Sequence, residues 1–471
     1  MSNIIFGTDG WRGLTSTEFI PENVALVAQA FADYLIGQST NPAVAIGYDT
    51  RENSKQLAHL FAGILAANSV NTIISDKITP TPVISYQVKY KKLTAGVVIT
   101  ASHNPPAYNG VKFKSDTGGP FSTDQTQKVE NLLNQNPVKK PSKNYSTIDF
   151  WDDYENHLIK LIDFDSIRKA NLNIAIDSMG GAGGTYLQTI LSKFQIPSET
   201  IFGTFSPDFN NRLAEPIEQN LKPLSDFLKS GQFAFGVATD GDADRLGVMD
   251  NFGNWMNIQE TILYLSDYII NAKNCNCGIV KTSSVTDKIT ELHPNTPVYS
   301  VQVGFKYVSE DMLLHHAAFG AEESGGLGFI EHLPERDGIY SALVFTEMLA
   351  KSGHRYLSDF ISDKRKQLGQ IFYARIDKHE NRESRILMPQ KLIDIKISKI
   401  ADFKTVRNEI HYNSRGVINS LKYYLEGTCR WLLIRTSETE PMIRIYAEGK
   451  SDDEVRDILN NGLQIIEANI Y

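Results

Sequence analysis

The chain has 471 residues, 41% hydrophobic and 22% charged, with 47 basic against 55 acidic side chains and a formal charge of −8. That length exceeds one core and calls for about three or four domains of roughly 100–200 residues each. The composition excludes a disordered chain, no segment has the apolar length of a membrane span, and the negative balance argues against a general nucleic-acid binder while leaving room for local cationic pockets.

Along the chain, short apolar strands alternate with longer amphipathic stretches, the pattern of an α/β protein. A helix is expected over ENVALVAQAFADYLIG (22–37) and a strand over AVAIGYD (43–49). The apolar run beginning at Val97 then opens into VVITASHNPPAYNGVKFK (97–114). Here Ser102 stands beside His103, with Lys112 ten residues on. A serine hydroxyl needs a neighbouring base or cation to act as a nucleophile, and these two are the local candidates. Pro105 and Pro106 lack backbone donors and fix their own φ, so this loop is stiff enough to aim a side chain.

A polar, Pro- and Lys-containing stretch, 134–146, reads as a linker, and the helix-like WDDYENHLIKLI places a domain boundary near residue 150. A second unit opens with the strand NIAIDS (173–178) and runs through FAFGVATDGDADRLGVMD. Gly180 to Gly184, GGAGG, sits where a dinucleotide-binding turn would, but its spacing is not GxGxxG. A strand-to-helix turn requiring small residues is the better reading. A third unit starts at the helix-like IQETILYLSDYII, contains FGAEESGGLGF and ends in the helix-like YSALVFTEMLAKSG. Past about residue 370 the strands GVINSLKYYLEG and WLLIRTS precede a terminal amphipathic helix, an α+β texture. Cys275, Cys277 and Cys429 are too few for a disulfide framework and fit no zinc or thioredoxin spacing, and the N-terminus lacks a signal pattern, so a cytoplasmic location is expected.

Four further segments carry chemistry. In AspGlyAspAlaAspArg (240–245), aspartates at i, i+2 and i+4 of an extended segment point the same way, so Asp240, Asp242 and Asp244 can converge on one hard cation. An EF-hand is excluded, because Arg245 stands where glycine is needed and Asn251 where a bidentate glutamate is needed. In GlyAlaGluGluSerGlyGly (320–326), Glu322 and Ser324 can both bond adjacent hydroxyls while the glycines allow close approach. ArgThrSerGluThrGluPro (435–441) offers the fork of Arg435 and the hydroxyls of Ser437 and Thr439, a donor set for phosphate. PheGlyThrAspGlyTrpArgGly (6–13) supplies Arg12.

ThrAlaSerHisAsnPro (100–105) followed by AsnGlyValLysPhe (109–113) resembles the phosphoserine loop of the α-D-phosphohexomutase superfamily, and with the four segments above the resemblance covers essentially the whole chain. It implies three successive related α/β domains with mixed sheets (1–150, 151–253, 254–370) and a C-terminal α+β domain (371–471). It also implies that Ser102 carries a phosphoryl group, that Mg²⁺ is held by Asp240, Asp242 and Asp244 with an oxygen of phosphorylated Ser102, and that Lys112, His103 and Arg12 handle proton transfer and charge. Glu322 and Ser324 would read the sugar, and Arg435, Ser437 and Thr439 would hold the phosphate that is not reacting. Arg245, Lys281 and Lys306 would add cationic groups near the substrate. The chain departs from the family at Glu438, where glycine is usual. The implied reaction interconverts hexose 1-phosphate and hexose 6-phosphate through a hexose 1,6-bisphosphate, in a monomer or homodimer with no nucleic-acid or membrane partner. Glucose or mannose is expected as the sugar rather than glucosamine, from the continuation after SerHisAsnPro and from the sugar loop. The alternatives are a hexose-1,6-bisphosphate synthase and an impaired sugar-phosphate sensor.

Overall fold

The computed structural model describes residues 4–7, 9–272, 277–380, 382–412, 416–436 and 442–470. Its first sheet holds β1 (Trp11–Leu14), β2 (Ala43–Tyr48), β3 (Asn71–Ser75), β4 (Ala95–Ile99), β5 (Tyr108–Lys114) and β6 (Ser146–Ile148), in the order β1-β5-β4-β2-β3-β6. β4 reads Ala-Gly-Val-Val-Ile and is buried at every position. A parallel strand covered on both faces has no reason to alternate apolar with polar residues. The second sheet holds β7 (Ile174–Asp177), β8 (Ser198–Ile201), β9 (Phe235–Thr239) and β10 (Leu246–Asp250), in the order β10-β9-β7-β8. The third holds β11 (Ile279–Thr282), β12 (Val298–Val301), β13 (Phe319–Ala321) and β14 (Leu327–Phe329), in the order β12-β11-β13-β14.

Counting β2 to β5 in the first sheet, all three follow one plan. The first strand is central, the second and third flank it in parallel, and the fourth turns back antiparallel to the third. The connection from third to fourth strand therefore recurs three times, as residues 100–107, 240–245 and 322–326. These are the serine loop, the aspartate loop and the Glu322 loop. Each leaves the carboxyl end of a parallel strand, where open α/β sheets bind ligands.

One apolar core runs through all three units, joining Val83 and Val98 to Ile174, Ile176 and Val237 and on to Phe319, Leu327 and Ile339. Close packing across these units fixes the three loops relative to one another. The stretch 134–146, read as a linker, is laid along the first unit instead. Lys139 N donates to Gln29 Oε1 at 3.1 Å and Ser142 N to the Gly63 carbonyl at 2.9 Å, and Ser146 begins β6. Its polar composition hides this because backbone groups make the attachments.

The C-terminal unit is an antiparallel sheet of β15 (Phe372–His379), β16 (Lys399–Ile400), β17 (Phe403–Tyr412), β18 (Ile418–Leu425), β19 (Trp431–Thr436) and β20 (Met442–Gly449), in the order β15-β20-β19-β18-β17-β16. Helices Arg382–Ile395 and Asp452–Ile470 cover it through Met388, Leu392, Ile458 and Ile466, packed with Leu421, Leu432 and Ile445. No helix among the described residues is long and apolar enough to cross a membrane.

Candidate active site

Ser102 is buried and adopts φ 52°, the left-handed region that non-glycine residues seldom enter. Its Oγ donates to Asp240 Oδ2 at 2.7 Å, so the serine loop meets the aspartate loop directly. Two glycines permit this approach. A Cβ on Gly241 would lie 2.4 Å from the Ser102 carbonyl oxygen, and one on Gly181 would lie 2.8 Å from the Gly241 carbonyl oxygen. The Gly180–Gly184 turn is thus a buttress for the aspartate loop, with Ala182 N donating to the Gly241 carbonyl at 2.9 Å.

Asp240, Asp242 and Asp244 are all buried and each offers one oxygen, the three lying within 4.8 Å of one another. Asp240 Oδ1 accepts from the N–H groups of Asp244 and Arg245 at 2.9 and 3.1 Å, which curls the loop so that its side chains converge. Lys112 Nζ donates to the Oδ2 atoms of Asp242 and Asp244 at 2.7 Å each, and Thr81 Oγ1 donates to Asp242 Oδ2 at 2.5 Å. The Oδ1 atoms of Asp242 and Asp244 are buried with no hydrogen-bond donor among the described residues. Buried carboxylate oxygens without donors are costly, and a hard divalent cation satisfies such a set. The residues fit a metal.

The electrostatics agree. Burial, reinforced by Asp244 and Asp242, pushes Asp240 well above the usual carboxylate range. Burial alone would raise Asp242 as well, but Lys112 with Thr81 and Arg336 holds it below that range. Burial would lower Lys112, but Asp242, Asp244 and Asp9 reverse this and raise it, so it stays an ammonium. His103 Nδ1 lies 3.5 Å from Ser102 Oγ. Burial, with Arg245, Arg12, Arg444 and Lys112 around it, drives His103 well below the ordinary histidine value and leaves a neutral imidazole. Arg12 Nη1 donates to Asn104 Oδ1 at 2.6 Å, on the serine loop.

The Glu322 loop joins the same constellation. Ser324 Oγ donates to Glu322 Oε1 at 2.7 Å, and Arg336 Nη1 stands 3.3 Å from the same oxygen. Leu246 N donates to the Gly325 carbonyl at 3.0 Å and Arg245 bridges Gly326, so second and third units are stitched where their loops meet. Asp337 caps helix Gly338–Lys351 by accepting from Tyr340 N, and Gly338 N donates to the Ala243 carbonyl at 3.0 Å. Arg245 Nη1 pairs with Glu215 at 3.3 Å, and its Nε lies 3.9 Å from Asp240.

Two residues of this constellation escaped the sequence reading. Arg336 spans Glu322, Asp9 and Asp244, the last at 2.9 Å, while Asp9 lies 3.0 Å from Lys112. Asp9 is part of the quoted N-terminal motif and Arg336 lies just before the helix-like YSALVFTEMLAKSG, but only long-range pairing reveals what they join.

Lys281, expected near the substrate, is held by partners within the third unit. It is 1% exposed, bonds Asp287 Oδ1 at 2.8 Å and the Val285 carbonyl at 3.0 Å, and Lys422 holds the other Asp287 oxygen at 3.0 Å. Its charge is spent on the junction between third and fourth units. Lys306 is the second residue of helix Phe305–His315, buried, with its ammonium 4.9 Å from the Tyr307 ring centroid. Arg435 sits in β19 opposite Ser420, and its buried Nε has no acceptor among the described residues. Ser437, Glu438 and Thr439 lie outside the described residues.

Residues 3–139, 152–253 and 259–368 match alpha/beta/alpha domains I, II and III of the phosphoglucomutase/phosphomannomutase family, and residues 391–461 match its C-terminal domain. A crystal structure from Thermus thermophilus, provisionally called a phosphomannomutase, superposes with a TM-score of 0.85 at 30% identity over 99% of both chains. The chain belongs to the α-D-phosphohexomutase superfamily and is an enzyme of the mutase class. Among relatives, the phosphoglucomutase/phosphomannomutase of Thermococcus kodakarensis is 28% identical over 98% of each chain. The phosphoglucosamine mutase of Ruminiclostridium cellulolyticum is also 28% identical, over 99% of each. Overall identity therefore does not rank the sugars.

Proposed function

We propose that this enzyme interconverts hexose 1-phosphate and hexose 6-phosphate, on glucose or mannose, through a phosphorylated Ser102 and a hexose 1,6-bisphosphate. The observation that carries the reading is the 2.7 Å contact of Ser102 Oγ with Asp240, inside a buried triad with unsatisfied carboxylate oxygens. Asp240, Asp242 and Asp244 would hold Mg²⁺, which when bound neutralises charge on the transferring phosphoryl group. Asp242, Asp244 and Asp9 keep Lys112 in place as a fixed positive charge.

In the forward half-reaction the phosphoryl group leaves Ser102 Oγ for a free sugar hydroxyl. The P–O bond to serine breaks, the P–O bond to sugar forms, and the hydroxyl proton passes by way of a neutral base, for which His103 is the nearest to Ser102, to the departing Ser102 Oγ, which ends as a hydroxyl. The bisphosphate turns over, and Ser102 takes back the other phosphoryl group. Glu322 and Ser324 orient the sugar hydroxyls, and Arg435, with Ser437 and Thr439, holds the phosphate that is not reacting. The functional division follows the units 1–150, 151–253, 254–370 and 371–471, the first three each giving one loop to the site.

The test is a coupled assay with glucose 1-phosphate, mannose 1-phosphate and glucosamine 1-phosphate, each with and without hexose 1,6-bisphosphate. Turnover of glucose or mannose phosphate that depends on the primer supports the reading. Faster turnover of glucosamine phosphate overturns the sugar assignment, and net release of bisphosphate overturns the mutase.

A further inference from the structure

The serine loop contains two prolines and so is poor in N–H donors, while its carbonyl groups still require partners. One guanidinium supplies them. Arg51 Nη2 donates to the carbonyls of Ser102 and Asn104 at 2.7 and 2.6 Å, and Nη1 donates to those of Pro105 and Tyr108 at 2.9 Å each. Arg51 Nε donates to Asp49 Oδ2 at 3.1 Å, so all five N–H groups are used on a side chain that is 1% exposed.

Asp49 extends the hold. It accepts from Ser54 Oγ at 2.8 Å and from Thr100 Oγ1 at 2.6 Å, and Thr100 Oγ1 in turn accepts from Ser102 N at 2.9 Å. The Phe209 ring of the second unit lies over the guanidinium, 4.8 Å from ring centroid to Cζ. Both the N–H and the C=O of Ser102 are thereby tied to the Asp49–Arg51 pair, one on each side of its left-handed φ. A buried ion pair is a weak source of stability, whereas a planar fork with fixed donor directions is a good source of geometry.

We propose that Arg51 is a positioning residue for the phosphoryl transfer. It touches neither the metal triad nor the sugar-facing groups, and acts by holding Ser102 in the strained backbone conformation that aims Oγ at Asp240. This rests on Ser102 being the phosphoryl carrier.

Arg51→Lys keeps the positive charge that Asp49 needs but replaces five forked donors by three on one nitrogen. Arg51→Ala opens a space that added guanidinium ion can refill. With glucose 1-phosphate and saturating glucose 1,6-bisphosphate, kcat of Arg51→Lys is expected to fall about 10- to 100-fold, as for a misplacement near 1 Å, with KM changed by less than about threefold. Millimolar guanidinium chloride should restore part of the Arg51→Ala turnover, and equal sodium chloride should not. The thermal midpoint of each variant is recorded alongside. A kcat for Arg51→Lys within about twofold of the parent overturns the inference. So does a loss that matches the unfolded fraction and resists guanidinium. Ser102→Ala separates the two claims. If it is dead while Arg51→Lys is normal, only the role of Arg51 fails; if it turns over normally, the serine reading fails first and Arg51 with it.

Discussion

Gly241→Ala adds a single methyl group at the contact between the serine and aspartate loops. The backbone tolerates alanine, since Gly241 is absent from the positive-φ residues, so any effect is steric. The new Cβ would lie 2.4 Å from the Ser102 carbonyl oxygen and 3.2 Å from the Phe209 ring. That first distance is about 1 Å short of ordinary contact. Gly241 has little room to retreat, because its N–H donates to Ala214 and its carbonyl accepts from Ala182 at 2.9 Å. The serine loop must therefore move by roughly 1 Å, a displacement that costs on the order of 100-fold in rate. Overpacking of this size costs about 1–3 kcal/mol in stability, so the variant should stay folded. The coupled mutase assay should show kcat falling by about two orders of magnitude with a smaller change in KM. A kcat within about threefold of the parent would refute the claim that Ser102 placement limits the rate. Gly37→Ala is the matched control. It lies in helix Pro21–Gln38 with nothing within 4 Å of the added methyl, and should gain about 0.5–1 kcal/mol with kcat unchanged.

Other outcomes follow from the same geometry. Mg²⁺ added to chelator-treated protein should raise the thermal midpoint, by about 2.7 kcal/mol of stabilisation at 100 times Kd, and Asp244→Asn should abolish most of that rise; equal midpoints with and without Mg²⁺ would count against the triad as a metal site. Glu322→Gln should raise KM for the sugar phosphate about 10-fold while Ser102 still accepts a phosphoryl group from the bisphosphate, and loss of phosphorylation would place Glu322 in the wrong step. At the junction of the first three units, His157 Nε2 lies 3.1 Å from His332 Nδ1, and burial, with His332 and Lys89 adding to it, lowers His157 to about 4. The folded state then binds fewer protons than the unfolded one between about pH 4 and 6.5, so stability falls as pH drops through that window. His157→Gln should flatten this part of the midpoint-versus-pH curve, and an unchanged slope would show that His157 does not contribute to it.

The motifs were legible because their chemistry is local. Three aspartates at alternate positions point to a candidate cation site, although a curled loop rather than an extended segment brings them together, and a Ser-His pair on a proline-stiffened loop points to an aimed hydroxyl. The repeated strand plan was not legible as a sequence repeat, since hydrogen-bond register places few demands on side-chain identity. Yet it explains why the three motifs occupy equivalent connections. Lys281 shows the limit of position in the chain: nothing in the sequence points to Asp287, whose carboxylate pairs with both Lys281 and Lys422. Arg51 and Arg336 lie outside every quoted motif, and only the folded chain shows what each spans.

The whole mechanism turns on Ser102 as the carrier of the phosphoryl group. Intact mass and peptide mapping after incubation with glucose 1,6-bisphosphate and Mg²⁺ test it most directly. One added phosphoryl group is expected, mapped to Ser102, lost on addition of excess glucose 6-phosphate and absent in Ser102→Ala. Full turnover with no phosphoryl group on Ser102, or with the group on another residue, would contradict it.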